Sequence, residues 1–250
     1  MTFPPRLPSV FLTGAWRWLV MLNFEIDPDI LQSRVPRGVF LDRHDGKVFV
    51  SLVGFLFRDT RVMGISIPWH GAFEEVNLRF YVRREVDGEV RRGVVFIREI
   101  VPRRAIALVA KWAYNEPYIA LPMRHTLKRG AEPETAPPSE IAYQWLLKSR
   151  WNELRIAPKN EGCLPTLGSH EEFITEHYFG YTSQKDGSTI EYRVEHPIWR
   201  QWSASDASFE VDIPSLYGEE FAPFVKGNPY SALLAEGSPV VVRRPMLLPS

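Results

Sequence analysis

Glu74 and Glu75 stand side by side at the head of a stretch, 75–84, that alternates apolar and polar side chains. Successive side chains of a strand point to opposite faces, so the two carboxylates part company. Glu74 falls in phase with Val76, Leu78 and Phe80, and Glu75 with Arg79 and Arg83. A carboxylate at the edge of an apolar face has its pKa raised by desolvation, which suits a general acid or base. Glu74 is therefore the catalytic candidate, and Glu75 is expected to be neutralised by the arginines. A Glu74 lying just ahead of the strand would instead be solvated. The span 73–125 also carries Arg98-Glu99, Tyr114-Asn115-Glu116 and Arg124-His125, more polar chemistry than a structural hairpin needs. Arg98, Tyr114, Asn115, Glu116, Arg124 and His125 are candidates for a ligand-binding lining, where an arginine would suit a carboxylate ligand. His196 joins them: it ends the apolar phase Ile190, Tyr192, Val194 just before Pro197. The commoner explanation for such a residue is a satisfied core histidine.

Other chemistries lack an anchor. The six histidines show neither i, i+4 spacing nor HExxH, so no metal motif is present. There is no G-x-S-x-G for a serine nucleophile and no P-loop or G-x-G-x-x-G for a nucleotide. No cofactor is therefore expected. Cys163 is the single cysteine, which excludes an intramolecular disulfide and a cysteine-based zinc site and fits a reducing, cytoplasmic setting.

Thirty basic and thirty acidic residues cancel over the 250 residues, which argues against nucleic acid as a partner. Locally the balance shifts: residues 79–104 hold eight arginines against four acids, and 186–236 nine acids against three bases. Solvated hairpin faces with internal pairing account for both. The apolar stretch Val10–Trp16 is short, interrupted by Arg17 and followed by no small-residue cleavage site, so it is not read as a signal peptide. No run approaches the ~20 apolar residues of a membrane span. The chain is expected to be soluble, with a small molecule as partner and a homo-oligomeric state left open.

These residues need elements to hold them. A first strand is read over 14–26, followed by a short helix from 28 to 34 with Asp27 as N-cap and Pro28 at its first position. Asp45-Gly46, Asp87-Gly88 and Asp186-Gly187 sit between β-rich runs as hairpin turns. Val48 to Phe57 is apolar in both phases, so burial on both faces is expected. From Ala105 the pattern turns helical (Ile106, Val109, Ala113) until Pro117 ends it. Residues 130–139, GAEPETAPPS, read as a Pro-rich surface loop inside one domain. Two strands follow over 140–157, then a helix opened by Ser169-His170-Glu171-Glu172 and running to about Tyr178. A short helix near 217–226 and a strand at 238–244 finish the chain. Many strands, tight turns and few helices point to a closed or nearly closed β-barrel with peripheral helices, a mainly β (α+β) fold.

Segments spread along most of the chain resemble the YqjF-like family of uncharacterised bacterial proteins. They are WLVMLNF (18–24), VSLVGF (50–55), FEEVNLRFYVR (73–83), FIREIVP (96–102), YNEPYIALPMRH (114–125) and EYRVEHPIW (191–199). That family is similar, more remotely, to acetoacetate decarboxylase, which implies a β-barrel with a ligand cavity. The decarboxylase forms an imine through a lysine whose pKa is lowered by a neighbouring lysine in a desolvated site. The resemblance puts Pro117-Tyr118-Ile119 where the decarboxylase has Pro-Lys-Lys, and Ala110-Lys111-Trp112 near its Gly-Arg-Glu. Both lysines of the pair are absent, so the Schiff-base mechanism is not expected; Lys111 falls where the motif has its arginine. The barrel glutamate of the decarboxylase corresponds to Glu74 or Glu75.

The cavity is accordingly expected between the 73–83 strand and the 111–125 segment, suited to a keto or carboxylic acid. Two functional classes stand: a small-molecule-binding protein without turnover, and a non-Schiff-base enzyme of lyase or hydrolase type using Glu74 or a histidine as general acid or base.

Overall fold

The structure is a computed structural model that describes residues 7–66, 71–129, 136–159 and 161–248. The chain begins β1 (Val10–Ile26), α1 (Pro28–Gln32), β2 (Phe40–Leu41), β3 (Val48–Val62), β4 (Ile65–Ser66), β5 (Phe73–Val86) and β6 (Glu89–Val101). It continues α2 (Arg104–Tyr114), β7 (Tyr118–Ala120), β8 (Met123–Lys128), β9 (Glu140–Leu147) and β10 (Arg150–Pro158). It ends α3 (His170–Thr175), β11 (Phe179–Ser183), β12 (Thr189–Glu195), β13 (Gln201–Glu210), α4 (Ile213–Tyr217), β14 (Ser231–Ala235), β15 (Pro239–Arg243) and β16 (Met246–Leu247). Most of the Pro-rich segment, 130–135, lies outside the described residues.

Local chemistry sets the turns and helix starts. Asp45-Gly46 and Asp87-Gly88 both have positive φ at each residue, the paired left-handed geometry that matches the twist of a two-residue hairpin. At Asp186-Gly187 only the glycine does so, and the Asp186 carboxylate accepts from the backbone N–H and the hydroxyl of Ser188 in a longer loop. Asp27 accepts from Asp29 N–H at 3.0 Å to cap α1. Ser169 accepts from Glu172 N–H at 3.2 Å to cap α3, which ends at Thr175, short of Tyr178. The helix expected near 217–226 is instead α4, one turn earlier, with a 3₁₀ turn over Glu219–Phe221. Strands β8 and β13 carried no clear alternation in the sequence and form here as members of an outer sheet.

Backbone pairing closes a barrel-like ring in the order β1, β3, β5, β6, β11, β12, β15 and back to β1. All neighbours are antiparallel except β6 and β11. β1 changes partner midway, from β15 along residues 10–15 to β14 along 19–23. The change is made where Trp18 adopts φ 56° and Gly237 φ 79°. A Cβ on Gly237 would lie 2.1 Å from the Trp16 carbonyl oxygen, so only glycine allows the strands to part there. Through β14 the sheet continues to β13, β10, β9 and β8, which fold over the outside of the ring.

The ring is thus buried on both faces. Outward residues such as Val50, Leu52, Val76, Leu78 and Phe80 pack against Ile141, Tyr143, Trp145, Leu154 and Leu216 of the outer layer. Inward residues such as Leu19, Met21, Val53, Phe55, Phe57, Phe73 and Tyr81 form a second cluster. The doubly apolar run Val48–Phe57 is fully buried, as its sequence predicts. Phe173 of α3 packs 5.2 Å from the Tyr81 ring and plugs one end of the ring, while α2 contributes Ala105, Ile106 and Val109 to the interior wall.

Candidate functional site

The ring encloses a cavity of about 210 Å³. That is well beyond the space a single buried water requires. Register places the polar residues in layers. On β3 and β5, Phe57 faces Phe73, Phe55 faces Glu75, Val53 faces Asn77 and Ser51 faces Arg79. Across β5 and β6, Asn77 faces Glu99 and Arg79 faces Phe96. A bulge at Ile97 makes the second relation hold: the extra residue lets both Phe96 and Glu99 turn inward although they are three apart.

Glu116 reaches the same place from a different element. Asn115 follows α2 with φ 57°, a left-handed helix stop that asparagine adopts more readily than most residues. The chain then turns and delivers Glu116 and Tyr118 to the cavity wall. Glu75, Asn77, Glu99 and Glu116 are each no more than 3% exposed.

Three buried carboxyl groups therefore share one interior. Asn77 Nδ2 donates to Glu75 Oε1 at 3.2 Å and Tyr118 Oη to Glu75 Oε2 at 3.2 Å. The Glu116 carboxylate accepts from Thr182 Oγ1 and, at 3.0 Å, from Tyr192 Oη. Burial pushes the Glu75 carboxyl up to about 7, against the opposing effect of its two hydrogen bonds and the Arg79 charge. Burial, with the Glu75 charge adding to it, raises Glu116 to about 8 despite its hydrogen bonds. Glu99 rises well above the ordinary range, from burial first and then from Glu116 and Glu75. At neutral pH the cluster holds protons rather than three negative charges.

Arg79 is the permanently charged cation among the described lining residues. Its Nη2 donates to the Ile174 carbonyl at 3.4 Å, while its Nε has no partner. Asn77 Oδ1 and Glu99 Oε2 are likewise buried and unpaired. Such polar atoms cost free energy unless something satisfies them, and their grouping marks a place for a polar ligand head. The described residues lining the cavity include no lysine; the Lys111 side chain lies outside the described residues.

The remaining walls are apolar. Trp16 meets Phe55, Phe57 and Trp199 edge-on at 5.3, 6.0 and 6.1 Å, and Phe57 stacks on Phe73 at 4.6 Å. His196 lies in this wall, stacked on Trp199 at 4.0 Å and on Tyr178 at 4.7 Å. Its Nδ1 donates to the Pro197 carbonyl at 3.0 Å, and burial lowers its pKa to about 4, so the ring is neutral. His177 also reaches the cavity, and burial lowers it to about 4 as well. Its Nε2 stands 3.6 Å from Asp42, beyond hydrogen-bond range, while Asp42 pairs with Arg92 at 2.9 Å.

Of the residues singled out from the sequence, Tyr114, Glu116 and His196 line the cavity. Tyr114 packs edge-on to Phe11 and Tyr192 and donates to the Arg243 carbonyl at 3.2 Å. The others stand elsewhere. Glu74 shares the outward phase of Val76 and accepts from or shares a proton with His125 Nδ1 at 2.6 Å. Burial acts to raise the Glu74 pKa, but the His125 hydrogen bond, a backbone hydrogen bond and the nearby His125 and Arg103 charges together outweigh it, and the carboxyl sits below its usual range. Arg98, opposite Leu78, also points outward and lies near Tyr217. Asn115 shapes the turn and donates to the Ser183 carbonyl at 3.2 Å. Arg124 and His125 belong to β8 of the outer sheet, where Arg124 stacks 4.0 Å over Trp151. Among the described residues of the 111–125 segment, Tyr114, Glu116 and Tyr118 border the cavity.

For Glu74 and Arg98 the physical reason is one reversal, while Arg124 and His125 are carried off by the outer sheet. From the sequence the apolar phase of β5 is expected to face the pocket. Because the outer sheet covers that phase, the polar phase is the one that turns inward. Glu75, Asn77 and Arg79 follow from this reversal; Glu99, Tyr118, His177 and Tyr192 come from other elements and also line the cavity, beyond the residues expected from the sequence. The signal that could have found the first three is an arginine, an asparagine and a glutamate in one phase of a strand whose other phase is wholly apolar. Tyr118, which the resemblance puts in place of a lysine, sets its hydroxyl on Glu75, while Ile119 packs into the outer core.

A family model, DUF2071, described as an uncharacterized conserved protein, matches residues 13–239. The uncharacterized protein YqjF of Bacillus subtilis (strain 168) is 24% identical over 208 residues, which covers 80% of this chain and 78% of that one. Among solved structures, the enduracididine biosynthesis enzyme MppR complexed with pyruvate aligns with a TM-score of 0.68 at 13% identity, covering 98% of this chain and 92% of that chain. Acetoacetate decarboxylase from Legionella pneumophila subsp. pneumophila str. Philadelphia 1 aligns with a TM-score of 0.66 at 13% identity, covering 100% and 91%. These likenesses establish an acetoacetate-decarboxylase-like fold. No helix among the described residues is long and apolar enough to cross a membrane.

Proposed function

The chain belongs to the DUF2071 family, and we propose that it is an acid–base enzyme that binds a keto or carboxylic acid in the ring cavity and moves a proton through Glu75. The observation that carries this reading is the Glu75 carboxyl itself. It is buried between Asn77 and Tyr118 with a pKa of about 7, where a group can both take and return a proton at neutral pH. The ligand class is supported by the Arg79 guanidinium and by the structural neighbours, which include an enzyme complexed with pyruvate and an acetoacetate decarboxylase.

In this reading the ligand carboxylate pairs with Arg79. Glu75 removes a proton from the carbon beside the keto group, and the electrons of that C–H bond form the carbon–carbon double bond of an enolate. Protonated Glu99 and Glu116 donate toward the enolate oxygen, where charge develops in a water-poor setting and such donors act most strongly. Return of a proton from Glu75 restores the keto acid. This step is the start of lyase chemistry and needs no imine.

A second reading, binding without turnover, is favoured by Tyr118 and Ile119 standing where the decarboxylase resemblance puts its lysine pair. One experiment separates the two. The protein is incubated in deuterated buffer with pyruvate and other 2-oxo acids, and loss of the C3 proton signal is followed by NMR. Exchange above the buffer rate, abolished in Glu75→Gln while binding persists, is the expected result. Binding with no exchange leaves a binding protein, and failure of every acid to bind overturns both readings.

A further inference from the structure

The cavity is larger and more aromatic than a short keto acid requires. We infer that its ligand is an aryl keto acid, with the acid head at the carboxyl cluster and a ring held by the aromatic walls. This rests on the acid–base reading above for the head and on separate observations for the tail.

The first observation is volume. A pyruvate-sized acid, with only a few non-hydrogen atoms, leaves much of a cavity of about 210 Å³ unfilled. The rest of an apolar void would be left without contacts, which is costly in a packed interior. The second is position. Glu75 faces Phe55, and the next inward layer along the same strands is Phe57 opposite Phe73, with Trp16 opposite Phe57. Two residues along a strand advance about 7 Å. A ring carried one or two carbons from a keto acid held at Glu75 and Arg79 spans that distance and arrives among Trp16, Phe57, Phe73 and Trp199.

The third is the geometry of the wall. Trp16 presents edge-on contacts at 61–89° to its phenyl neighbours, an arrangement that continues naturally onto a further ring. Aromatic pairs of this kind add to the gain from burial alone. A branched aliphatic tail would gain only the burial.

The test uses the unaltered protein and a ligand series measured by calorimetry: pyruvate, 4-methyl-2-oxopentanoate, 3-cyclohexylpyruvate and phenylpyruvate. Phenylpyruvate is expected to bind on the order of 100-fold more tightly than pyruvate and more tightly than its cyclohexyl analogue. Equal affinity for pyruvate and phenylpyruvate, or a preference for the cyclohexyl acid, overturns the inference. Phenylacetone, which lacks the carboxylate, tests the head separately. If it binds as tightly as phenylpyruvate, the acid-binding reading fails while the aryl site stands. If phenylpyruvate binds tightly yet exchanges no proton, the enzyme reading fails and the ligand class survives.

Discussion

Replacing Glu75 with glutamine should make the protein more stable at alkaline pH and leave it nearly unchanged at mild acid. The folded state raises this carboxyl from its ordinary 4.5 to about 7. Below pH 4.5 folded and unfolded chains are both protonated at this site, so it contributes no difference. Between about 4.5 and 7 the unfolded chain gives up the proton while the folded one keeps it, and stability falls as pH rises. Above 7 the loss is complete. At about 1.4 kcal/mol for each tenfold change in proton affinity, the penalty reaches ~3 kcal/mol. Glutamine carries no such penalty, keeps the shape, and still accepts from Tyr118. Urea unfolding followed by tryptophan fluorescence at pH 5, 6.5 and 8 reads the difference directly. The variant should match the parent near pH 5 and exceed it by up to ~3 kcal/mol at pH 8. A gap that does not change with pH, or a variant less stable than its parent at pH 8, would refute the argument that burial controls this group.

Other changes probe the neighbouring elements. Glu74→Gln breaks the partly buried pair with His125 at a cost of about 1 kcal/mol, yet keto-acid binding by calorimetry should stay within about twofold because the residue faces away from the cavity. In Gly180→Ala the new Cβ would lie 2.1 Å from Tyr192 Cζ; the ring must leave Glu116, and thermal or urea unfolding should show a loss of ~1–3 kcal/mol. Asp42 is held at about 2, where burial acts to raise it but the His177 and Arg92 interactions prevail. Its contribution is full above pH 4 and lost as pH falls toward 2, so Asp42→Asn should flatten that part of an acid-unfolding curve by ~2 kcal/mol.

How far the sequence revealed this molecule is clearest in β5. The alternation of 75–84 and the turn at Asp87-Gly88 reveal the hairpin, and the two apolar phases of 48–57 reveal a strand buried on both sides. The same sequence does not say which phase of β5 faces the hollow, because both phases end up covered. Apolarity marks burial and says nothing of what lies on the far side. Dipeptides such as Glu74-Glu75 and Arg98-Glu99 flag the strand, but one member of each pair goes to each face, and the choice belongs to tertiary packing. The bulge at Ile97 has no signal in the alternation of its own strand, and the packing that lays the outer sheet over β5 joins segments far apart in the chain. Glu116 is legible for a different reason: its placement depends on a local signal, Pro117, which ends the helix just before it.

The three carboxyl groups also make the cavity a proton store whose filling tracks its occupancy. An anion arriving beside Glu75, Glu99 and Glu116 raises their hold on protons further, so a fraction of a proton enters from solvent with it. The heat of binding then depends on the ionisation enthalpy of the buffer that supplies this proton. For the acid ligand proposed above, affinity is expected to weaken as pH climbs past about 7, where Glu75 gives up its proton. The interior of the ring thus reads the proton activity of its surroundings each time a ligand enters.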